Sequence, residues 1–338
     1  MHTFDKRKYK LKKRKMKKIK FAFKILIAFL LSNSIGMAQS NSASKKATDN
    51  SAAHIHYRQV KANGQNIFYR EAGPAGAPTI LLLHGYPTSS NMFRNLIPIL
   101  MTKYHVIAPD LPGFGYSDAP DRAQFAYTFE NMAKTMQSFI DELGMKRFAI
   151  YVFDYGAPTG FRLAMINPEK ITGIISQNGN AYTEGLSTAW NPIKKYWEND
   201  TQENRNALKS FLTIEGTKFQ YLTGVSDITL VAPEAYTLDQ HFLDRPESTD
   251  IQLDLLKDYK SNVALYPKFQ EYFRTHKPKL LAVWGNKDPF FLPAGAEAYK
   301  KDIPNATVKF YNTGHFALET NANEIGNDIL KFMATLPK

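Results

Sequence analysis

Short apolar runs alternating with helical patterns constrain the fold of this chain more than any other feature. Thr79-Ile-Leu-Leu-Leu83, His105-Val-Ile-Ala108, Phe148 to Phe153, Ile171 to Ser176, Leu280 to Trp284 and Val308 to Tyr311 are brief and mostly apolar. A strand without polar alternation is buried on both faces. Between these runs the period lengthens. Met132, Met136, Phe139, Ile140 and Leu143 recur at helical spacing within residues 129 to 143, and further helical stretches cover residues 158 to 167 and Ile325 to Met333. Strands separated by helices imply an α/β fold, a mostly parallel sheet with helices on both faces. Residues 56 to 71 alternate around Asn63-Gly64 and read as a hairpin.

Residues 181–266 break the pattern. They are rich in Tyr, Trp, Asn, Pro and Asp and carry helical patterns with polar interruptions. They read as a helical cap inserted between two parts of an α/β core, 54–180 and 267–338, and lying over the strand ends. In open α/β sheets ligands sit in that crevice.

The formal net charge of +12 suggests a nucleic-acid or membrane binder until its distribution is read. Residues 1 to 24 hold twelve Lys/Arg against Asp5, and residues 25 to 38 hold no charge, so the remainder of the chain carries only +1. Nucleic acid is thereby excluded as an expected partner. The basic head precedes a short apolar core ending at Leu31 and the small residues Gly36 and Ala38. This is the pattern of a signal peptide over 1–38, followed by a polar linker over 39–53. The expected location is therefore the periplasm or outside the cell. The apolar core is shorter than the about 20 residues a membrane span needs, so no stable span is expected after cleavage. Cysteine is absent, so no disulfide contributes.

Three polar residues are expected at the C-terminal ends of strands. Asp154 follows Phe148–Phe153 in Val152-Phe-Asp-Tyr-Gly156, Asp288 follows Leu280–Trp284, and His315 follows Val308–Tyr311 in Thr313-Gly-His315. Nucleophile, acid and base in this chain order resemble the α/β-hydrolase superfamily. With His84-Gly-Tyr-Pro87 and Asp110-Leu-Pro-Gly-Phe-Gly-Tyr-Ser-Asp118, the motifs resemble its aspartate-nucleophile branch, which includes epoxide hydrolases and haloalkane dehalogenases. Serine elbows usually place glycine two residues before the nucleophile. Here Val152 stands there, which this branch tolerates.

The resemblance implies roles. Asp154 is the nucleophile, His315 the general base and Asp288 its orienting partner. The backbone N–H groups of Tyr86 and Tyr155 form the oxyanion hole. His84 braces the loop, and His84, Trp190 and Trp197 border the substrate pocket. No metal or organic cofactor is required. An aspartate suits a saturated carbon, because attack yields an alkyl ester that water can hydrolyse, whereas serine would yield an inert ether. The expected partner is a small molecule, an epoxide or an organohalide.

Dehalogenases of this branch place tryptophan after the nucleophile and asparagine or tryptophan after His-Gly. This chain has Tyr155 and Tyr86 there. Epoxide hydrolases use cap tyrosines to protonate the departing oxygen. Asp258-Tyr-Lys-Ser-Asn262 resembles their second cap motif, which makes Tyr259 a candidate donor. Ile193 occupies the place of the first cap tyrosine, and Tyr196 lies one turn further along. Epoxide hydrolysis is the leading expectation. A dehalogenase, or a non-hydrolytic binding protein or oxygenase on the same scaffold, is the alternative.

Overall fold

The structure, a computed structural model, describes residues 54–337. The expected signal peptide and linker lie outside the described residues.

Eight strands form one sheet: β1 (Ile55–Ala62), β2 (Gln65–Ala72), β3 (Thr79–Leu83), β4 (His105–Pro109), β5 (Phe148–Phe153), β6 (Ile171–Gln177), β7 (Leu280–Gly285) and β8 (Thr307–Tyr311). Their order is β1-β2-β4-β3-β5-β6-β7-β8. β1 and β2 form the expected hairpin, with Asn63 and Gly64 at φ 49° and 82°, the left-handed turn a tight hairpin prefers. β2 is antiparallel to β4, and β3 to β8 run parallel. The apolar runs of β3 to β7 are buried on both faces, but β8 departs from the expectation: it is the edge strand, and Phe310 is 41% exposed. Leu81, Leu83, Ile150 and Val152 join one hydrophobic core, while Ile80, Leu82, Tyr151 and Phe153 join the other.

Helices cover both faces. α1 (Ile97–Leu100) precedes β4, α2 (Phe129–Glu142) precedes β5, and α3 (Gly156–Ile166) follows it. Thr128 caps α2 by accepting from Asn131 N–H, and Met132, Met136, Phe139 and Ile140 face the core as the periodicity predicts. Burying each such side chain contributes about 2 kcal/mol; Phe139→Ala would cost roughly 3–5 kcal/mol.

The inserted segment is helical as expected: α4 (Asn191–Glu198), α5 (Gln202–Ala207), α6 (Ile214–Leu222), α7 (Pro233–Leu243) and the 29-residue α8 (Ser248–His276). The boundary expected between 266 and 267 falls inside α8. Pro267 sits within that helix, and the helix continues into the core, where Phe269 and Phe273 pack against Phe161 of α3 at centroid distances of 5.4 and 5.3 Å. α9 (Pro293–Ala298) and α10 (Ala317–Met333) complete the fold. α10 begins eight residues before the expected Ile325. Its first turns are polar and broken at Asn321 (φ −126°, ψ 27°), which hides the apolar period.

Candidate active site

The direction of the chain reverses at β3, and the C-terminal ends of β3 and β5 lie side by side with Leu83 opposite Val152. The loop after β3 and the turn after β5 therefore meet. Asp154 occupies that turn at φ 47°, a left-handed conformation that costs an L-residue roughly 1–2 kcal/mol. The turn lifts its carboxylate out of the strand toward the crevice. Asp154 Oδ1 accepts from Tyr86 N–H at 2.6 Å, and the Tyr155 N–H also stabilises the charged carboxylate. The approach leaves no room for a side chain at position 85, where a Cβ would lie 2.3 Å from Asp154 Oδ1. Val152 at the place of the usual elbow glycine is accommodated from the helix side. A Cβ on Gly160 would come within 2.5 Å of Val152 Cγ1, so the missing side chain has moved from strand to helix.

His315 is 1% exposed, and its Nδ1 lies 2.6 Å from Asp288 Oδ2. Asn178 Nδ2 donates to the same oxygen at 2.7 Å, and Phe290 N–H to Asp288 Oδ1 at 2.7 Å. These bonds fix the carboxylate, which fixes the ring. Burial pulls the His315 pKa down, but Asp288 by charge and hydrogen bond, then Asp154, outweigh it and the net shift is upward. Burial pushes Asp154 up to about 6, against the opposing pull of His315 and of the Tyr86 and Tyr155 N–H groups. A carboxylate poised below neutral pH is ionised and poorly solvated, the condition of a reactive nucleophile.

Asp154 and His315 face one small cavity of about 30 Å³, room for roughly two water molecules. Tyr86, Tyr155 and Trp190 line it, as do Ile193, Leu256, Phe211, Phe290, Phe291 and Gln220, whose positions the sequence pattern did not single out as pocket walls. Larger clefts of about 640 and 580 Å³ open near Lys277–Leu281 and Gly76–Thr79 and contain none of the three candidate catalytic residues.

Of the three expected pocket residues, only Trp190 lines the cavity. His84 is fully buried behind the loop. Its Nε2 accepts from Leu111 N–H at 2.9 Å and its Nδ1 lies 3.0 Å from Gly85 O, so it braces the loop. Trp197 lies a layer back, stacked on Tyr259 at 6.2 Å, because it follows Tyr196 on α4 and Ile193 takes the cavity face. Tyr259 is fully buried, and its hydroxyl interacts with that of Tyr266. Its ring packs 4.5 Å from Trp190 and 6.0 Å from Tyr155, outside the cavity lining. The Tyr196 hydroxyl accepts from Arg205 Nη1 at 3.1 Å, on the side of the Asp250 and Asp254 ion pairs rather than the cavity.

The indole groups are all committed. Trp190 Nε1 donates to Phe290 O, Trp197 Nε1 to Leu256 O and Trp284 Nε1 to Phe291 O; the chain has three tryptophans. No indole N–H is left to hold a leaving group.

The strand order, with polar residues projecting from the ends of β5, β7 and β8, is that of the α/β-hydrolase fold. The chain belongs to that family, whose pattern matches residues 78–322, and is an enzyme of the hydrolase type. Among particular relatives, it is 48% identical over 290 residues to an uncharacterized hydrolase of Saccharomyces cerevisiae, covering 84% of this chain and 99% of that protein. It is 27% identical to a haloalkane dehalogenase of Psychrobacter cryohalolentis, over 84% and 93% of the two chains. The epoxide hydrolase CorEH has a similar fold, with a TM-score of 0.68 at 20% identity over 83% of this chain and 99% of its own.

Proposed function

We propose that the protein hydrolyses small molecules at a saturated carbon through an ester on Asp154, and that its leaving group is an epoxide oxygen. The observation that carries the reading is the pairing of a strained, buried carboxylate, held by one oxygen, with a histidine–aspartate pair across the same cavity. Asp154 Oδ2 attacks the carbon and the C–O bond of the ring breaks. Water deprotonated by His315 then adds to the ester carbonyl, whose oxygen rests on the Tyr86 and Tyr155 N–H groups. Asp288 stabilises the imidazolium. A serine-type ester cleavage is disfavoured, since a carboxylate attacking an ester would form an anhydride.

Commitment of every indole N–H to a carbonyl supports oxygen over halide. The relative from Psychrobacter, matched over nearly its whole length, favours a second reading in which a halide departs from a haloalkane. One assay separates the two: purified protein is offered short terminal epoxides and bromoalkanes, and diol and bromide are measured in parallel. Diol without bromide fits the first reading and bromide without diol the second; neither product would remove both.

Export belongs to the same proposal. The basic head, short apolar core and Gly36/Ala38 pair support it. N-terminal sequencing of protein from its host is expected to begin within a few residues of Gln39, and a mature chain that retains Lys6 to Lys20 would refute it.

A further inference from the structure

Two polar groups on the cavity wall are incompletely partnered. Gln220, on α6 of the cap, is 4% exposed, and its amide interacts with the Tyr86 hydroxyl while Nε2 closes no hydrogen bond of good geometry. Tyr155, beside the nucleophile, is 2% exposed, and its hydroxyl completes none. Both residues line the cavity that holds Asp154 and His315. Burying an amide or hydroxyl without a partner is unfavourable, and native proteins rarely keep such groups without a use. Here the two residues, one from the cap and one from the core, border the space the reacting carbon must enter. The remaining wall is mainly aromatic and aliphatic, from Trp190, Ile193, Leu256, Phe290 and Phe291, so a third donor is not supplied from that side.

We propose that the Gln220 carboxamide and the Tyr155 hydroxyl form the cradle for the departing atom. The proposal rests on the substitution at a saturated carbon described above and adds the groups that receive its electron pair. As Asp154 Oδ2 bonds to carbon, the carbon–oxygen bond of an epoxide breaks and the pair stays on oxygen. Both donors bond to that oxygen, and Tyr155 releases its proton to it. In the second step one proton of the added water passes through His315 to the glycol oxygen, while the other remains on the regenerated Asp154 carboxyl and returns to the Tyr155 oxygen. A halide in the same place takes both hydrogen bonds and no proton. Gln220 therefore serves either leaving atom, and Tyr155 matters most for oxygen.

The test uses His315→Gln, in which the Asp154 ester accumulates, with 1,2-epoxyhexane and 1-bromohexane as probes and intact-protein mass spectrometry as readout. Adding Gln220→Leu is expected to slow alkylation about 10²-fold with both probes, the scale of losing one preorganised donor. It is also expected to raise Tm by roughly 2 °C, because a buried amide N–H without a well-formed hydrogen bond has been removed. Adding Tyr155→Phe should slow the epoxide about 10²–10³-fold and the bromide less. A purely structural glutamine would give the opposite pair of results, a lower Tm and unchanged alkylation. Gln220→Met stands in if Gln220→Leu does not fold. Alkylation within threefold of the parent in the folded variant overturns the cradle and leaves the nucleophile intact. A parent alkylated by neither probe overturns the proposed function, and the cradle with it.

Discussion

The backbone N–H of Tyr86 donates to Oδ1 of Asp154 across 2.6 Å. A serine nucleophile leaves such a donor waiting for an oxygen that substrate will bring. Here the donor already holds an oxygen of the nucleophile. Oδ2 is therefore the attacking atom. After attack, the carbonyl oxygen of the new ester sits where charge will develop when water adds.

That arrangement makes the first step independent of His315. In His315→Gln the carboxylate should still be alkylated, and the ester should persist because no base activates water. Mass spectrometry is expected to find the chain heavier by one substrate and the label on the peptide carrying Asp154. A label on another residue, with Asp154 unmodified, would contradict the assignment.

Asp154 should lower stability at neutral pH. Its pKa in the folded chain is raised to about 6, above the ordinary 3.8. The folded state therefore holds a proton more tightly than the unfolded state. The advantage is complete below about pH 4 and is lost as pH rises through 6. Asp154→Asn, which tolerates the same left-handed turn, should be inactive yet more stable by about 3 kcal/mol at pH 8. Melting curves at pH 8 and pH 4 check this; the gain should vanish at the lower pH.

The same carboxylate sets the acid limb of the reaction. Single-turnover alkylation by a neutral epoxide in His315→Gln should rise with pH and level off as Asp154 ionises. Removing His315 also removes its opposing pull, so the midpoint should lie above about 6. A midpoint near 4 would mean that the buried charge is far better solvated than the geometry implies.

Tyr259→Phe should slow alkylation by less than about tenfold, well under the loss of a direct donor. Its ring packs behind Trp190 and Tyr155, and its hydroxyl interacts with Tyr266 rather than lining the cavity. A 10²-fold loss confined to the epoxide would bring Tyr259 into contact with the substrate oxygen after all.

The centre of the sheet was legible because its strands are buried on both faces, and runs such as Phe148–Phe153 can be little else. Asp154, Asp288 and His315 were legible because each follows such a run at its C-terminal end. The cavity wall was not. Gln220, Leu256 and Phe290 reach Asp154 from a cap helix, a long connecting helix and a loop, and nothing local distinguishes them from packing residues. Trp190 and Trp197 carry the same local signal, yet only the first lines the cavity. Asn178, which holds Asp288, follows β6 at φ 44°; a polar residue at a fourth strand end was the available clue.

The continuity of α8 has a consequence for borrowing parts between relatives. The helix enters as cap at Ser248 and leaves as core at His276 without a break. A cap transplanted from another hydrolase cannot be joined there as if at a loop. Each residue inserted into or deleted from the helix turns everything beyond it by about 100°. A single-residue mismatch at that splice would swing Leu256 away from the cavity while Phe269 and Phe273 stayed packed on α3. Chimeras spliced in register should keep a pocket, and those one residue out should fold their cores around a site that is closed or lost.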